Sequence, residues 1–196
     1  MKPNKRDLIV GGVLAIVITI SVIAHTLWFG TIENPFNYTF SMIGNRFDQM
    51  TEFIIWGAST GFLLAFFILY LYRKASYKNK KSKRLLIYSN IFLVLTCATP
   101  AVKEINAFTH SLHTLFAILF GVSLSGSLFF FNKFLKSKNE KIYSKSALFL
   151  NVVIFGSLVL LVIFGNSGIF ELFFFLALSA FLLALNRWLD YLNIKD

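Results

Sequence analysis

The sequence has few of the residues that soluble and secreted proteins depend on. Charged residues make up 14% of its 196 residues, whereas a typical soluble domain has roughly 25%. Its single cysteine, Cys97, excludes an internal disulfide. Hydrophobic residues make up 57% of the chain, and 24 residues are Phe. This composition excludes a soluble globular enzyme, a disordered chain and a disulfide-rich secreted module, and it indicates an integral membrane protein.

Six apolar segments are long enough to cross a bilayer as helices, which takes roughly 20 apolar residues each. We predict an all-α polytopic bundle of six transmembrane helices that forms one membrane domain over residues 1–196. The predicted spans are approximately residues 8–29, 51–72, 85–101, 108–131, 146–165 and 169–188. The basic start of the first span also fits a signal peptide. Its apolar run is longer than the 7–15 residues usual for such a peptide, so we favour an uncleaved anchor.

The basic residues predict the orientation of these spans. Of the 19 Lys and Arg residues, 17 fall in the two tails and in the second and fourth connections, and only Arg46 and Lys103 fall on the other side. Because cytoplasmic segments are enriched in Lys and Arg, we predict a plasma-membrane protein with both termini in the cytoplasm. This topology explains the net charge of +10 without a nucleic-acid partner. The expected partners are membrane lipids, and the abundance of Lys, Asn, Ile and Phe suggests a bacterial source.

The remaining polar residues concentrate at the predicted outer ends of the spans, where all three histidines, Glu104 and Glu171 lie. His113, Ala117 and Gly121 are spaced four residues apart and therefore share one face of the helix. Because small residues are typical of helix contacts in membranes, His113 is expected to face the interior of the bundle. The aromatic and polar segment 30–50 is expected to fold over the bundle mouth as a lid or an interfacial anchor. We therefore predict an outward-facing polar cavity. Its candidate ligand-binding residues are His25, Ser41, Asp48, Glu52, His110 and His113.

Imidazoles beside carboxylates are compatible with several functions. The leading hypothesis is that the cavity binds a lipid head group or a small polar ligand. An alternative is a metal-dependent membrane hydrolase acting on a lipid, with His110 and His113 as candidate metal ligands and Glu52 as general base. The His-x-x-His spacing is a weak motif, and these histidines also fit a purely structural role. A small transporter or an accessory subunit of a membrane complex is a third possibility. The sequence specifies no cofactor and leaves open whether the protein is an enzyme.

A small set of positions carries a family resemblance. These positions are Asn37, Ser41, Gly44, Pro100, His110 and His113. With the placement of the six spans, they resemble an uncharacterised prokaryotic family of six-helix integral membrane proteins, which is distantly grouped with the FRAG/DRAM/SFK membrane proteins. Met42 stands where the commoner family version has an Asp, which argues against a catalytic or metal-binding role that depends on that Asp. The resemblance implies the fold and a loose link to membrane lipids, and it implies no established activity.

Overall fold

A computed structural model describes residues 5–103 and 106–195, so Glu104 of the predicted outer layer lies outside the described residues. Within these ranges the chain forms seven α-helices and no strand. The helices are α1 (Lys5–Gly30), α2 (Phe40–Arg46), α3 (Met50–Lys74), α4 (Lys80–Ala98), α5 (Ala107–Lys138), α6 (Glu140–Phe164) and α7 (Gly168–Lys195). The all-α prediction is therefore confirmed for the part of the chain that is described.

Five helices in the described ranges are long and apolar enough to cross a membrane. The candidate spanning segments are Ile9–Gly30, Met50–Lys74, Ala107–Lys138, Glu140–Phe164 and Gly168–Tyr191. Many large apolar side chains on these helices are exposed at the outside of the bundle, Val162 (84%) and Leu148 (68%) among them. Such a surface is stable in lipid and unfavourable in water. The multi-pass membrane architecture is confirmed at this level.

Helix α4 corresponds to the third predicted span, residues 85–101, and it is not among those five. Its first turns carry Lys80, Lys81, Lys83 and Arg84, which leaves residues 85–98 as its apolar part. At 1.5 Å per residue this part is about 21 Å long, shorter than the hydrocarbon core. The fold nevertheless runs α4 antiparallel to α5: Ser82 near its start contacts Ser127, and Thr96 near its end contacts His113. Six membrane crossings therefore stay a prediction.

The bundle has two polar ends. We call the end where α3 stops and α4 starts the basic end, because the residues from Lys78 to Arg84 lie there, and we call the opposite end the α2 end. Tyr70 of α3 lies against Gly11 of α1, and Lys74 of α3 pairs with Asp190 of α7 at 2.6 Å. The start of α1 and the end of α7 are therefore both at the basic end.

Helix α2 is the element that the sequence patterns did not indicate. It lies in the segment 30–50, which was predicted as a loop folded over the bundle mouth. The Thr39 hydroxyl accepts a hydrogen bond from the Met42 N–H at 3.1 Å, which satisfies a free donor in the first turn of α2. Gly44 lets α2 approach α3, since a Cβ at this position would lie 2.8 Å from the Phe53 side chain. The segment is thus ordered and packed against the bundle.

An aromatic core anchors α2 to three spanning helices. The buried ring of Phe40 packs edge-on against Trp56 of α3 and Phe29 of α1, with centroid distances of 4.7 and 5.6 Å, and stacks with Phe175 of α7 at 6.5 Å. The Trp56 indole N–H donates to the Thr26 hydroxyl at 3.3 Å, so its one polar atom is satisfied within this apolar cluster. The α2 end is therefore built on a rigid base.

Candidate functional site at the α2 end

The carboxylate of Glu171 fixes the start of α2. Glu171 lies in the first turn of α7, and its Oε2 accepts a hydrogen bond from the backbone N–H of Phe40 at 2.6 Å. A second link follows nearby, since the Ile169 N–H donates to the Pro35 carbonyl at 3.1 Å. Gly168 permits this closeness, because a Cβ there would lie 2.6 Å from the Tyr38 carbonyl oxygen. The segment before α2 is thus fastened to the start of α7.

Asn45 fastens the other end of α2 to the turn between α4 and α5. Its side-chain amide donates to the Ser41 carbonyl at 2.8 Å, and its Oδ1 accepts from the Ala101 N–H at 3.2 Å. One side chain therefore spans α2 and the turn that precedes the two adjacent histidines. This link holds α2 in place against α4 and α5.

His110 and His113 bind backbone carbonyls in the turn after α4 and at the end of α4, respectively. His110 Nδ1 lies 2.6 Å from the Ala101 oxygen, and His113 Nδ1 lies 2.8 Å from the Thr96 oxygen and 3.1 Å from that of Thr99. A carbonyl oxygen only accepts, so Nδ1 carries the proton in both rings and donates it. The last carbonyls of a helix lack partners within the helix, and the His113 imidazole supplies one at the end of α4, while His110 binds the following turn. Each ring is therefore held in one tautomer, with Nε2 as its second polar atom.

His25 occupies a separate position between α1 and α3. Its Nδ1 lies 3.1 Å from the Ser59 hydroxyl oxygen, and its ring stacks with Trp28 at a centroid distance of 5.5 Å. The Ser59 hydroxyl donates to the Trp56 carbonyl at 3.2 Å, so the histidine Nδ1 is the donor of the pair. No hydrogen bond among the described residues joins His25 to the other two histidines.

The three other candidate residues have different surroundings. Ser41 is buried in α2, and its hydroxyl lies 3.0 Å from that of Thr39. Asp48 is exposed in the turn after α2 and has a φ of 56°, the left-handed conformation that Asp tolerates better than most residues. Glu52 is half-buried in the first turn of α3, where its charge suits the helix dipole. Within the described ranges, no ion pair links these carboxylates to a histidine.

The described residues provide no ready-made metal centre. No group of three His, Cys, Asp or Glu side chains in this part of the chain is close enough to hold one ion. The two cavities that stand out lie elsewhere, one between α3, α4 and α5 beside Asn90, and one between α6 and α7 beside Lys145. Neither is lined by a candidate site residue, so the predicted outward cavity stays a prediction.

Glu171 and Asn45 organise this end and were not among the candidate residues. The sequence places Glu171 at the start of a span, which is the one signal that marked it as an outer polar residue. Its partner Phe40 lies 131 positions away, and the partner is a backbone N–H. The backbone N–H and C=O groups are the same in nearly every residue, so the sequence does not indicate which of them a side chain binds. These links are visible only in the folded chain.

The fold shows the class of protein, and comparison of the sequence with known families shows the family. Apolar helices of this length and number are those of a multi-pass α-helical membrane protein. The chain belongs to the family described as protein of unknown function (DUF998), which matches residues 9–188. Membership of an uncharacterised family is therefore confirmed, and the grouping with the FRAG/DRAM/SFK proteins stays a prediction. No curated protein and no solved structure is significantly similar to the chain.

Proposed function

We propose that the protein binds a lipid head group or a small polar ligand at the α2 end through His110 and His113. One observation carries this proposal: both Nδ1 atoms are engaged by carbonyls at 2.6–3.1 Å, which fixes each ring and keeps Nε2 for another partner. Histidines that bind ligands or metals are commonly oriented in this way, with the opposite ring nitrogen donating to a carbonyl. The hydrogen bonds of Glu171 and Asn45, which hold α2 in place, add a rigid support next to the two histidines.

The tautomer also indicates the chemistry of the ligand. A neutral imidazole whose Nδ1 donates offers Nε2 only as an acceptor. The ligand is therefore expected to carry hydrogen-bond donors, such as the hydroxyls of a polyol head group or the ammonium of an ethanolamine. The acidic side chains of Asp48 and Glu52 at the same end favour a donor-rich or cationic group over a free anion. No observation on the described residues favours the metal-dependent hydrolase or the transporter over this function.

Asparagine substitution tests the role of the Nε2 atoms. In the His110→Asn/His113→Asn variant the side-chain amide can still donate to the α4 carbonyls, whereas Nε2 is removed. We expect native mass spectrometry of the gently purified protein to show a discrete adduct on the wild type that is lost in this variant. The adduct mass identifies a lipid, a small molecule or a metal. The matched control is Thr114→Ala, on the same stretch of α5, which should keep the adduct.

Two outcomes would contradict the proposal. If the adduct is equally abundant on the asparagine variant, the ligand does not use Nε2. If the wild type carries no adduct after extraction in mild detergent and after incubation with a total lipid extract, the histidines only cap α4.

We further infer that α4 crosses the plasma membrane as a sixth helix, which leaves both termini in the cytoplasm. In support, α4 runs from the basic end to the α2 end like its neighbours, and the described ends of α1 and α7 lie together at the basic end. That end also carries most of the Lys and Arg residues. Cys97 is buried, so single cysteines can be added with little background labelling.

Labelling of intact cells with a membrane-impermeant maleimide tests this topology. The exposed Asp48→Cys should react from outside, whereas Asn4→Cys and Asn193→Cys should react only after permeabilisation. Labelling of exactly one terminus in intact cells would show an odd number of crossings and would exclude the six-span topology.

A further inference from the structure

A groove lies on the lipid-facing side of the bundle, between α6 and α7. It has a volume of about 310 Å³ and is lined by Lys145, Leu148, Phe149, Val152 and Trp188. The four α6 residues are spaced three and four positions apart, so they form one stripe along the helix. Leu148 and Val152 are 68% and 50% exposed, so the groove opens outward. It is a separate feature from the histidine pair, which lies at the opposite end of the bundle.

The groove runs from the basic end into the apolar part of α6. Lys145 is near the start of α6, at the basic end, and the stripe continues to Val152 for seven residues, or about 10 Å, into the most apolar of the five helices. Trp188 forms the opposite wall. A tryptophan and a lysine at one level, with an aliphatic stripe beyond them, are typical of the membrane interface.

One exposed cation, Lys145, lines this groove, and two more lie close to its lining residues along the chain. Lys141 precedes Lys145 by one helical turn, and Arg187 precedes Trp188 on α7; all three cations are exposed. None of them forms an ion pair with a described residue. The carboxylate nearest along α7, Asp190, is held by Lys74 at 2.6 Å. The groove thus combines an apolar floor with exposed cations at its entrance.

We propose that this groove binds one anionic glycerophospholipid of the adjacent leaflet. Its phosphate and acidic head group lie against Lys141 and Lys145, and one acyl chain follows Leu148 and Val152 beside Trp188. Charge complementarity selects the anionic lipid over a zwitterionic one, because the exposed Lys141 and Lys145 meet a negative head group. The apolar stripe on α6 contacts the acyl chain, an interaction that a purely electrostatic patch does not offer.

Native mass spectrometry of the full chain with added phosphatidylglycerol or phosphatidylcholine tests the site. We expect wild-type protein to retain one phosphatidylglycerol preferentially. Lys141→Gln/Lys145→Gln should weaken this binding by about 30-fold at low salt, the effect of two surface cations on an anionic lipid. The matched control Lys80→Gln/Lys81→Gln removes the same charge elsewhere at the basic end and should leave the retained lipid in place.

A second variant tests the apolar lining of the groove independently of the positive charge. Val152→Trp fills the apolar floor without altering the net charge, and it should also displace the lipid. Lys141, Lys145 and Val152 are all exposed. Loss of lipid binding with unchanged thermal unfolding is therefore assigned to the site. Equal weakening in the Lys80/Lys81 control, equal retention of phosphatidylcholine, or undiminished binding to Val152→Trp would each overturn the proposal in favour of diffuse lipid contact.

Discussion

Glu171→Leu tests whether the carboxylate on α7 holds α2 in place. The substitution removes the acceptor that lies 2.6 Å from the Phe40 N–H and leaves that donor unpaired beside a ring that is 1% exposed. A hydrogen bond contributes about 0.5–1.5 kcal/mol, and an unsatisfied buried donor costs about 1–3 kcal/mol. We therefore expect the stability of the α2 segment to fall by about 2 kcal/mol.

Two measurements report this loss. If α2 opens locally, hydrogen exchange of the amides in residues 40–46 should accelerate by about 30-fold, which is what 2 kcal/mol corresponds to. If α2 unfolds only with the bundle, the free energy of unfolding in denaturing detergent should fall by the same amount. Glu171→Gln keeps an acceptor oxygen for the Phe40 N–H, so its effect should be smaller.

The control for this experiment is Glu33→Leu. Glu33 is half-buried in the same segment, and its side chain has no hydrogen bond with a described residue, so its loss should leave both readouts near the wild-type values. Exchange and unfolding of Glu171→Leu that match those of the wild type would refute the reasoning. The position of α2 would then depend on its aromatic contacts alone.

Two further substitutions probe the rest of the bundle. Asp190→Ala leaves the ammonium of Lys74, whose side chain is 7% exposed, without its carboxylate, and the free energy of unfolding should fall by about 2–3 kcal/mol. Lys74→Met should cost less, because the Asp190 side chain is 25% exposed and the freed carboxylate is partly hydrated; equal costs would contradict this asymmetry. Gly57→Ala places a Cβ against the Cys97 sulfur and should cost about 1–3 kcal/mol through overpacking. The same change in a Cys97→Ala background should cost clearly less, and an undiminished cost would locate the clash elsewhere.

Much of the fold is predictable because it depends on local composition. The predicted span 51–72 corresponds to α3 at Met50–Lys74, and 169–188 lies within α7 at Gly168–Lys195. The largest differences are at the basic end, where α5 extends to Lys138 and α6 begins at Glu140, beyond the apolar stretches. The length of an apolar run predicts where the chain crosses the lipid. A helix continues beyond that run as long as its backbone hydrogen bonds are maintained.

The candidate site was predictable only in part. Polar residue types at the span ends indicated which end of the bundle to inspect, and the histidines do lie at or near the α2 end. The partners of His110 and His113 are backbone carbonyls at the end of α4 and in the turn after it, and such carbonyls have the same chemistry in every residue. The short helix α2 also escaped prediction, since seven residues give too little periodicity to distinguish a helix from an interfacial loop.

The sequence alone determined the class of protein, the approximate positions of its spanning helices and the uneven distribution of its charge, because each follows from residue type within a local window. The tertiary structure alone decided which polar groups meet. Glu171 reaches the backbone of Phe40, Asn45 joins α2 to Ala101, and two imidazoles bind carbonyls at the end of α4 and in the turn after it. The links of Glu171 and Asn45 join residues that are 131 and 56 positions apart, and each histidine joins α5 to the end of α4 or the turn after it, so the packing of whole helices brings these groups together.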